Sequence, residues 1–295
     1  MFILKKEEVQ KEGTKLYEVG YEGIFEVFQD FKNEIRKNGF FTAFLKVIIK
    51  ISSGTLYVIA DNPEGGWQMI HYFNEKQGEL KGFKFLEKIL YDSPGSKGVR
   101  NRTKKAKELI SNYIDDRKSV RIVDLGCGIG TYGLHAIKES FEEGNKEKIR
   151  YIGVDIDTKA IELSRNIFGN VDPSADIEFK NVEANRFLEK NEKPFDLVIS
   201  MGIIDYLKKE NSERFLKNIK ENMKMGNKEK GQGMLIISVT DNYPFDNLAE
   251  IAGMKGLNHR TKDDLKYLLS KTGYGEVEIF SDESRSQHIA IARKI

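Results

Sequence analysis

Three glycines spaced two residues apart, Gly126, Gly128 and Gly130, follow the apolar run RIVDL in the stretch RIVDLGCGIGTYGLHA. Residues without a Cβ allow positive φ and let a ligand approach the backbone closely. The helix predicted after this loop adds free N–H groups and a partial positive charge at the same place. The stretch therefore predicts a strand, a loop that cradles a polar ligand, and a helix.

The glycine pattern alone fits two cofactors. Counted from Gly128, GIGTYG satisfies the G-x-G-x-x-G pattern of dinucleotide binding, and Asp155 follows at the end of the next predicted strand, where a ribose-binding acid would lie. Asp124 comes just before the first glycine, where a carboxylate would repel the pyrophosphate of NAD. The same carboxylate could meet the ammonium group of S-adenosyl-L-methionine (SAM), directly or through water, so the surrounding residues favour SAM.

The elements that must position these residues alternate after residue 98 between short apolar runs and helical patterns. The predicted strands are RIVDL, YIGVDI, IEFKNV, FDLVIS, GMLIISV, VEIFSD and HIAIARK; the predicted helices are TYGLHAIKESFEEG, TKAIELSRNIF, a segment near 211–224 and TKDDLKYLLSKTGY. Such alternation predicts a parallel sheet covered on both faces. Only the short turn ESRSQ separates the last two runs, so they must pair antiparallel. We expect an α/β fold with a doubly wound, mostly parallel seven-stranded sheet and an antiparallel final strand.

Four motifs in this order resemble those of class I SAM-dependent methyltransferases. They are VDLGCGIGTYG, YIGVDIDTKAIELSRN, IEFKNVEA and FDLVISMGIIDYL, and the resemblance covers residues 98–295, including the antiparallel final strand typical of that fold. It implies a Rossmann-like transferase domain with S-adenosyl-L-methionine as cofactor and S-adenosyl-L-homocysteine as product. A nicotinamide oxidoreductase, the alternative that GIGTYG leaves open, is disfavoured by Asp124 and the terminal strand pair.

The same resemblance implies roles for individual residues. Asp155 would accept hydrogen bonds from both ribose hydroxyls, and Ile156 would pack on the adenine. Glu183 with Ala184 falls where the family commonly has Asp-Ala, an acid near the adenine amino group. The remaining implied residues are Asp124, Gly126, Gly128 and Gly130 along the methionine end, and Ser200 and Met201, whose backbone carbonyls would face the cofactor's amino group.

Cys127 could either pack in the interior or act as a nucleophile. Cys127 holds a common cysteine position of the glycine motif, and we interpret it as packing, because no activating base is evident nearby.

Arg100 and Arg102 lie just before the helix that leads into the first of these strands, where they would form a solvated helix start or contact the SAM carboxylate or an anionic substrate. The six basic residues from Lys97 to Lys107 also suggest an RNA contact, which the net charge of +2 disfavours.

The acceptor side is less well determined. Methyl transfer needs a positioned nucleophile, and a base only if the acceptor must lose a proton. Asp205 and Tyr206 follow the fourth strand, and His259 and Arg260 lie in GLNHRTKDDL before the next predicted helix, so these residues could face the acceptor. His259 is the best candidate for a base, because an imidazole titrates near neutral pH. A structural or solvated role for His259 is the alternative. Thr261 and Asp264 predict a capping box at the start of the next helix.

Other polar groups give weaker signals. Asp241 and Tyr243 follow the fifth strand within DNYPF, which resembles the signature of enzymes that methylate amide or base nitrogens. That signature belongs after the fourth strand and has a second proline, so amino methylation of DNA bases or protein glutamine is disfavoured. His71 and His288 lie in strand-like runs with no evident partner, and His135 is expected to pack or face water. No cluster has metal-ligand spacing, so we expect no metal.

The first hundred residues differ from the rest: they carry 10 of the 18 Phe and the only Trp, Trp67. Helices are predicted over 22–38, FFTAFLKVIIKI and 79–91, and TLYVIA and WQMIHYF read as two strands around the turn DNPEGG. DSPGSKG, residues 92–98, reads as a linker. We therefore expect an aromatic-rich helical domain with a β-hairpin at 1–95 and a SAM-binding domain at 96–295. Two roles for the first are open: a substrate lid, or a dimerisation surface that would make a homodimer.

Composition narrows the class of protein. A single cysteine excludes an internal disulfide framework, and no apolar run approaches the roughly 20 residues that a membrane helix needs. The start MFILKKEEVQKEG does not read as a signal peptide, so a cytoplasmic protein without membrane contact is expected. The sequence predicts a SAM-dependent methyltransferase acting on a small or medium-sized organic acceptor at oxygen, nitrogen or carbon. An RNA methyltransferase, an enzyme that transfers another SAM-derived group, and a non-catalytic SAM-binding protein are also compatible with the motifs.

Overall fold

The structure is a computed structural model and describes residues 66–75, 84–115, 117, 119–134, 136–137, 149–168, 176–225, 233–241 and 257–294. The helices predicted over 22–38 and FFTAFLKVIIKI lie outside these residues, as does the strand predicted for TLYVIA. His135 and Tyr243 lie outside them as well.

The chain divides into two compact units, residues 1–92 with 247–255 and residues 93–246 with 256–295. Two helices of the first unit are described, α1 (Trp67–Glu75) and α2 (Lys84–Tyr91), and the Tyr91 hydroxyl donates a hydrogen bond to Phe73 O at 3.0 Å. The strand predicted for WQMIHYF is therefore wrong. Trp67, Ile70 and Phe73 recur every third residue, which places them on one face of a helix.

The second unit opens with the long helix α3 (Pro94–Asp115), so the linker predicted over 92–98 is wrong from Pro94 onward. Ser93 accepts a hydrogen bond from Ser96 N–H at 3.4 Å, and proline suits the first helical position because its φ is already helical. A Cβ built on Gly98 would lie 2.1 Å from Ser286 Oγ, so this glycine lets the Ser286 side chain pack closely against the helix. The turn-forming residues of this stretch thus belong to a helix start and a tight contact.

Seven strands form one sheet in the order β3–β2–β1–β4–β5–β7–β6. They are β1 (Val120–Leu125), β2 (Ile149–Asp155), β3 (Asp176–Asn181), β4 (Leu197–Met201), β5 (Met234–Thr240), β6 (Tyr274–Ser281) and β7 (Gln287–Lys294). The pairs from β3 to β5 are parallel, and β7 pairs antiparallel with both β5 and β6. The predicted fold is confirmed, with β7 lying between β5 and β6.

Helices follow the strands as the alternating pattern predicted. They are α4 (Thr158–Phe168), α5 (Ala184–Glu189), α6 (Lys209–Glu221) and α7 (Lys262–Lys271), with a 3-10 turn at Ile203–Tyr206 and helical backbone at 133–134 and 136–137. The capping box predicted for α7 is confirmed: Asp264 N–H donates to Thr261 Oγ1 at 3.1 Å, and Thr261 N–H donates to Asp264 Oδ2 at 3.0 Å. No helix within the described ranges is long and apolar enough to cross a membrane.

The core lies on the central strands. β4 and β5 are buried along their whole length, as expected for nearly continuous apolar runs between helix layers. Helices α6 and α7 contribute buried side chains to the same core, among them Phe215, Leu216, Ile219, Leu265, Leu268 and Leu269. This packing fixes the carboxyl ends of β1, β2, β4 and β5 relative to one another, and the candidate site residues follow those ends.

Candidate functional site

The glycine loop after β1 crosses to the end of β2. Gly126, Gly128 and Gly130 have φ of 66°, 54° and 78°, conformations that residues with a Cβ rarely adopt. The N–H groups of Gly126 and Cys127 both donate to Val154 O, at 2.8 and 3.1 Å. The spacing of the three glycines is thus explained by backbone geometry, which folds the loop back over β2.

Asp155 joins this loop to the start of α4. Its Oδ2 accepts a hydrogen bond from Gly128 N–H at 2.7 Å, and its Oδ1 accepts one from Asp157 N–H at 2.9 Å. Burial raises the pKa of the Asp155 carboxyl above its ordinary value. Because a carboxylate has about four lone-pair sites, each oxygen can accept one more hydrogen bond. The carboxylate is therefore held in one orientation with acceptor capacity left for hydroxyl groups.

The residue directly after Asp155 presents an apolar side chain to solvent. Ile156 is 72% exposed although its side chain is large and apolar. Asn181, the last residue of β3, donates from Nδ2 to Asp155 O at 3.1 Å and to Ile156 O at 2.9 Å, which fixes the backbone beneath that side chain. An exposed apolar side chain beside a carboxylate, on a backbone that Asn181 holds, is suited to contact a flat ring.

Glu183 and Ala184 lie at the start of α5. The Glu183 carboxylate is the N-cap of that helix and accepts hydrogen bonds from Asn185 N–H at 3.0 Å and Arg186 N–H at 2.9 Å. This is a sufficient structural reason for an acid at this position. Its predicted contact with an adenine amino group stays a prediction, and Ala184 is the first residue of the helix.

Asp124 is fully buried below the glycine loop. Its Oδ2 accepts a hydrogen bond from the Tyr151 hydroxyl at 2.9 Å, and Gly133 N–H also donates to the carboxylate, whereas Oδ1 has no hydrogen-bond partner among the described residues. Burial raises the pKa of Asp124 to about 7. The carboxyl group thus keeps its proton to a higher pH than an exposed aspartate does, and its predicted contact with an ammonium group stays a prediction.

Three further predicted residues line the same strand ends. Cys127 is buried, and burial beside Asp124 and Asp155 raises the pKa of its thiol well above the usual range, which agrees with the predicted packing role. Ser200 lies beside Leu125 in the β1–β4 register, and its Oγ has no hydrogen-bond partner within the described part of the chain. Met201 is the buried last residue of β4.

Arg102 lies inside α3 and is only 6% exposed, so the interpretation of this residue as a solvated helix start is wrong. Its guanidinium donates to Gln287 Oε1 at 2.9 Å and to the Tyr132 hydroxyl at 3.0 Å. Gly202, directly after β4, has a φ of 88°, and a Cβ built on it would lie 3.7 Å from Arg102 Nη1 and 3.8 Å from Asp205 Oδ2. A cation and a carboxylate thus flank one point at the end of β4.

Asp205, a predicted catalytic candidate, is buried in the 3-10 turn after β4. Its two oxygens accept hydrogen bonds from Thr240 N–H at 3.1 Å and from Thr240 Oγ1 at 2.8 Å. Burial raises its pKa to about 6, although these hydrogen bonds and the charges of Arg102 and Arg260 oppose the shift. Asp205 thus holds the 3-10 turn against the end of β5.

Arg260, which the sequence offers as a group that could face the acceptor, is buried and holds the site together. Its buried guanidinium donates to the carbonyls of Ile204 and Leu207 and to Ser212 Oγ. Asn258 N–H donates to Asp205 O at 2.7 Å, so two residues of the loop before α7 hold the turn after β4. A cation directly before a helix N-terminus is unfavourable for the helix dipole, and this unusual placement is the signal that could have predicted its structural role.

His259 and Tyr206, the other catalytic candidates, lie on the two segments that Asn258 and Arg260 join. His259 is exposed between those two residues, and Tyr206 ends the 3-10 turn with 50% of its surface exposed. Their side chains are therefore accessible, whereas that of Asp205 is enclosed. Among the described residues no group of three or more His, Cys, Asp or Glu side chains is arranged to hold a metal ion.

His288 has the partners that its sequence context did not reveal. Its Nδ1 lies 2.8 Å from Ser281 Oγ on β6, and its Nε2 lies 3.1 Å from Asp241 Oδ2 after β5. His71, by contrast, lies in α1 and not in a strand.

Solved structures share this fold. One is the crystal structure of a possible exported protein from Bordetella parapertussis, with a TM-score of 0.69 and 14% identity, covering 91% of this chain and 96% of that chain. Another is magnesium protoporphyrin IX methyltransferase from Synechocystis PCC 6803 with bound SAM, with a TM-score of 0.52 and 13% identity, covering 82% and 97%. At these identities the likeness shows the fold alone. No curated protein matches the chain in sequence.

Family models identify the chain more directly. The model described as a methyltransferase domain matches residues 116–273, which is more than half of the chain and includes the glycine loop, Asp155, the turn after β4 and α7. A second methyltransferase model matches residues 41–184. The chain therefore belongs to the methyltransferase-domain family, as the four motifs that begin with the glycine loop predict.

Proposed function

We propose that this methyltransferase uses SAM as methyl donor and acts on a small or medium-sized organic acceptor. The observation that carries the proposal is the Asp155 carboxylate, oriented by Gly128 N–H at 2.7 Å and Asp157 N–H at 2.9 Å beside the glycine loop. A carboxylate with spare lone pairs is suited to accept hydrogen bonds from the two hydroxyls of a ribose. The Synechocystis enzyme of the same fold holds SAM, which supports the same donor here.

The surrounding residues fit the parts of this donor. The exposed Ile156 side chain next to Asp155 offers an apolar surface for the adenine ring. At the end of β4, Arg102 and Asp205 flank Gly202 at 3.7 and 3.8 Å from its Cβ position. A SAM methionine end carries a carboxylate and an ammonium group; we assign the carboxylate to Arg102, and the glycine leaves room beside its guanidinium.

Bound SAM would supply an electrophilic methyl group on a sulfonium. The protein then has to hold the acceptor in line with that group and exclude other geometries. For an acceptor that loses a proton, we propose His259 as general base, because it is the exposed imidazole beside the turn that carries Tyr206. Tyr206 would orient the acceptor, while Asp205, Asn258 and Arg260 hold the two segments together.

The first experiment is calorimetric titration of the purified full chain with SAM and, separately, with NAD. We expect saturable SAM binding, and at least about tenfold weaker binding by Asp155→Ala, because hydrogen bonds to a charged group contribute roughly 1.5–3 kcal/mol. Asp176→Ala is the matched control. Asp176 is the first residue of the outer strand β3, and it forms an exposed ion pair with Arg150 on β2. Binding of NAD without SAM would overturn the proposal.

The acceptor class has a second test. Incubation of the enzyme and SAM with metabolite extracts, followed by mass analysis, should yield a small product in which one hydrogen is replaced by methyl. A larger added group would indicate another SAM-derived transfer on the same fold. SAM binding without any new product in extracts would indicate a non-catalytic SAM-binding protein. Methylation of added RNA that falls steeply with salt would indicate an RNA methyltransferase.

A further inference from the structure

Three side chains at the carboxyl edge of the sheet form a linear hydrogen-bonded chain outside the proposed SAM site. Ser281 Oγ lies 2.8 Å from His288 Nδ1, and His288 Nε2 lies 3.1 Å from Asp241 Oδ2. His288 is 3% exposed, whereas Ser281 is exposed and Asp241 is partly exposed. A buried imidazole thus connects an accessible hydroxyl to a carboxylate.

Strand pairing explains why the three groups meet. Ser281 on β6 is directly opposite His288 on β7, and His288 is opposite Val239 on β5, two residues before Asp241. Asp282 N–H donates to Gln287 O, so the neighbouring Ser281–His288 pair is of the non-hydrogen-bonded kind, in which opposite side chains are closest. In such a pair the N–H of Ser281 points away from β7, toward the outer edge of the sheet, since β6 is an edge strand.

This arrangement has the components of an activated nucleophile. If Asp241 accepts a hydrogen bond from Nε2–H, Nδ1 carries the lone pair and accepts the hydroxyl proton of Ser281. The two ring nitrogens exchange the roles they have in serine proteases, but the order serine, imidazole, carboxylate is the same. The outward N–H of Ser281 lies beside its own Oγ, where it can stabilise an oxyanion.

The chain is separate from the proposed methyl-transfer site. Gly202 and Tyr206 follow β4, and β6 is three strands away from β4, which at about 4.8 Å per strand is roughly 14 Å. Gln287, which bonds Arg102, is adjacent to His288 in β7 and so points to the opposite face of the sheet. His288 therefore lies on the face of the sheet opposite the contact between Gln287 and Arg102.

We propose that Ser281 is an activated nucleophile, with His288 as its base and Asp241 as the orienting carboxylate, and that this centre acts on small carboxylic esters. Ser281 Oγ attacks the ester carbonyl carbon while its proton moves to His288 Nδ1. The alcohol leaves with that proton as the carbon–oxygen bond breaks. Water, deprotonated by His288, then cleaves the acyl-serine to release the acid and restore the hydroxyl.

The test uses the full chain and a fluorophosphonate probe, whose phosphorus bonds to a reactive serine oxygen as fluoride leaves. Peptide mass mapping should locate the adduct on Ser281 and find none there in Ser281→Ala. The matched control is Ser284→Ala, because Ser284 is exposed three residues later and bonds Asp282 and Ser286. His288→Gln should slow the labelling of Ser281 by about 100-fold or more, the usual contribution of a general base.

Hydrolysis of 4-nitrophenyl acetate should be lost in Ser281→Ala, slowed in His288→Gln and unchanged in Ser284→Ala. Asp241→Asn provides a second variant on the partly exposed side of the chain, should His288→Gln not fold, and it should also slow labelling. The proposal would be overturned if the probe labels Ser281 no faster than Ser284. It would also be overturned if His288→Gln and Asp241→Asn leave the labelling rate of Ser281 unchanged. SAM titration of Ser281→Ala should match the wild type, so either proposal can fail without the other.

Discussion

Tyr151 on β2 donates its hydroxyl hydrogen to Asp124 on β1, with 2.9 Å between Oη and Oδ2, and neither side chain is exposed to solvent. Asp124 is paired with Gly153 in the parallel register, so the tyrosine reaches it diagonally from two residues earlier. The contact links the first two strands below the glycine loop, and a buried carboxyl group depends on it.

Tyr151→Phe should lower the free energy of unfolding by about 1–3 kcal/mol, because it leaves a buried oxygen without its donor. The pKa of Asp124 should rise further, since the lost hydrogen bond favours the charged form. Urea unfolding at pH 7 measures the first effect. Tyr267→Phe, at an exposed position on α7, is the control and should change stability little. Equal effects of both substitutions would contradict the prediction.

The raised pKa of Asp124 predicts a pH dependence of stability. The unfolded chain loses this proton near pH 4, whereas the folded chain keeps it until about pH 7. The stability contribution of the protonated group is therefore complete below pH 4 and is lost as pH rises through 7. Asp124→Asn has no such proton, so its free energy of unfolding relative to the wild type should increase by about 2–3 kcal/mol from pH 5 to pH 8. Urea curves at both values provide the measurement, and a constant difference would rule the prediction out.

Arg260→Lys should destabilise the protein by roughly 2 kcal/mol or more. The two terminal nitrogens of Arg260 donate to four acceptors, namely Ile204 O, Asn258 O, Leu207 O and Ser212 Oγ. A lysine has three N–H donors on a single nitrogen, so at least one of these acceptors loses its donor. Lys266→Ala, exposed on α7, is the control. We also expect turnover of a methyl acceptor to fall more than SAM affinity, because the turn that carries Tyr206 loosens. Thermal unfolding and kinetics of the two variants check both effects.

Gly98→Ala should be destabilising, although alanine normally stabilises a helix by about 1 kcal/mol relative to glycine. The added Cβ would lie 2.1 Å from Ser286 Oγ and 2.9 Å from Gln287 Cγ, so either these side chains or α3 must shift from their packed positions. Asn101→Ala, exposed in the same helix, should be neutral or slightly stabilising. A higher melting temperature for Gly98→Ala would show that this close approach does not constrain the helix.

The sequence predicted the sheet well because short apolar runs and intervening helical patterns are properties of local periodicity. The ESRSQ turn even predicted that the last two strands are antiparallel. Local patterns misassigned WQMIHYF and DSPGSKG, where aromatic β-propensity and turn formers outweighed helical spacing and the Ser93–Pro94 helix start. The secondary structure of these two segments depends on which of their faces a neighbouring element covers, and the local sequence does not contain that information.

The site was predicted where a motif requires a particular backbone, as at the three glycines with positive φ. It was not predictable where a side chain acts over a long separation in sequence. Arg260 reaches back to Ile204, and His288 meets Asp241, 47 residues away, only because β7 inserts beside β5. Burial of Asp124 was likewise invisible, since it depends on Tyr151 and on the loop folding over β2.

The insertion of β7 between β5 and β6 has a consequence for biosynthesis. Of the seven strands, β7 leaves the ribosome last, yet β6 reaches the rest of the sheet only through it. Until residue 294 has emerged, β5 has an unpaired edge, and Ser281 and Asp241 have no imidazole between them. Nascent chains that stall after β6 should therefore bind chaperones that capture exposed strand edges, and release should coincide with emergence of the final strand.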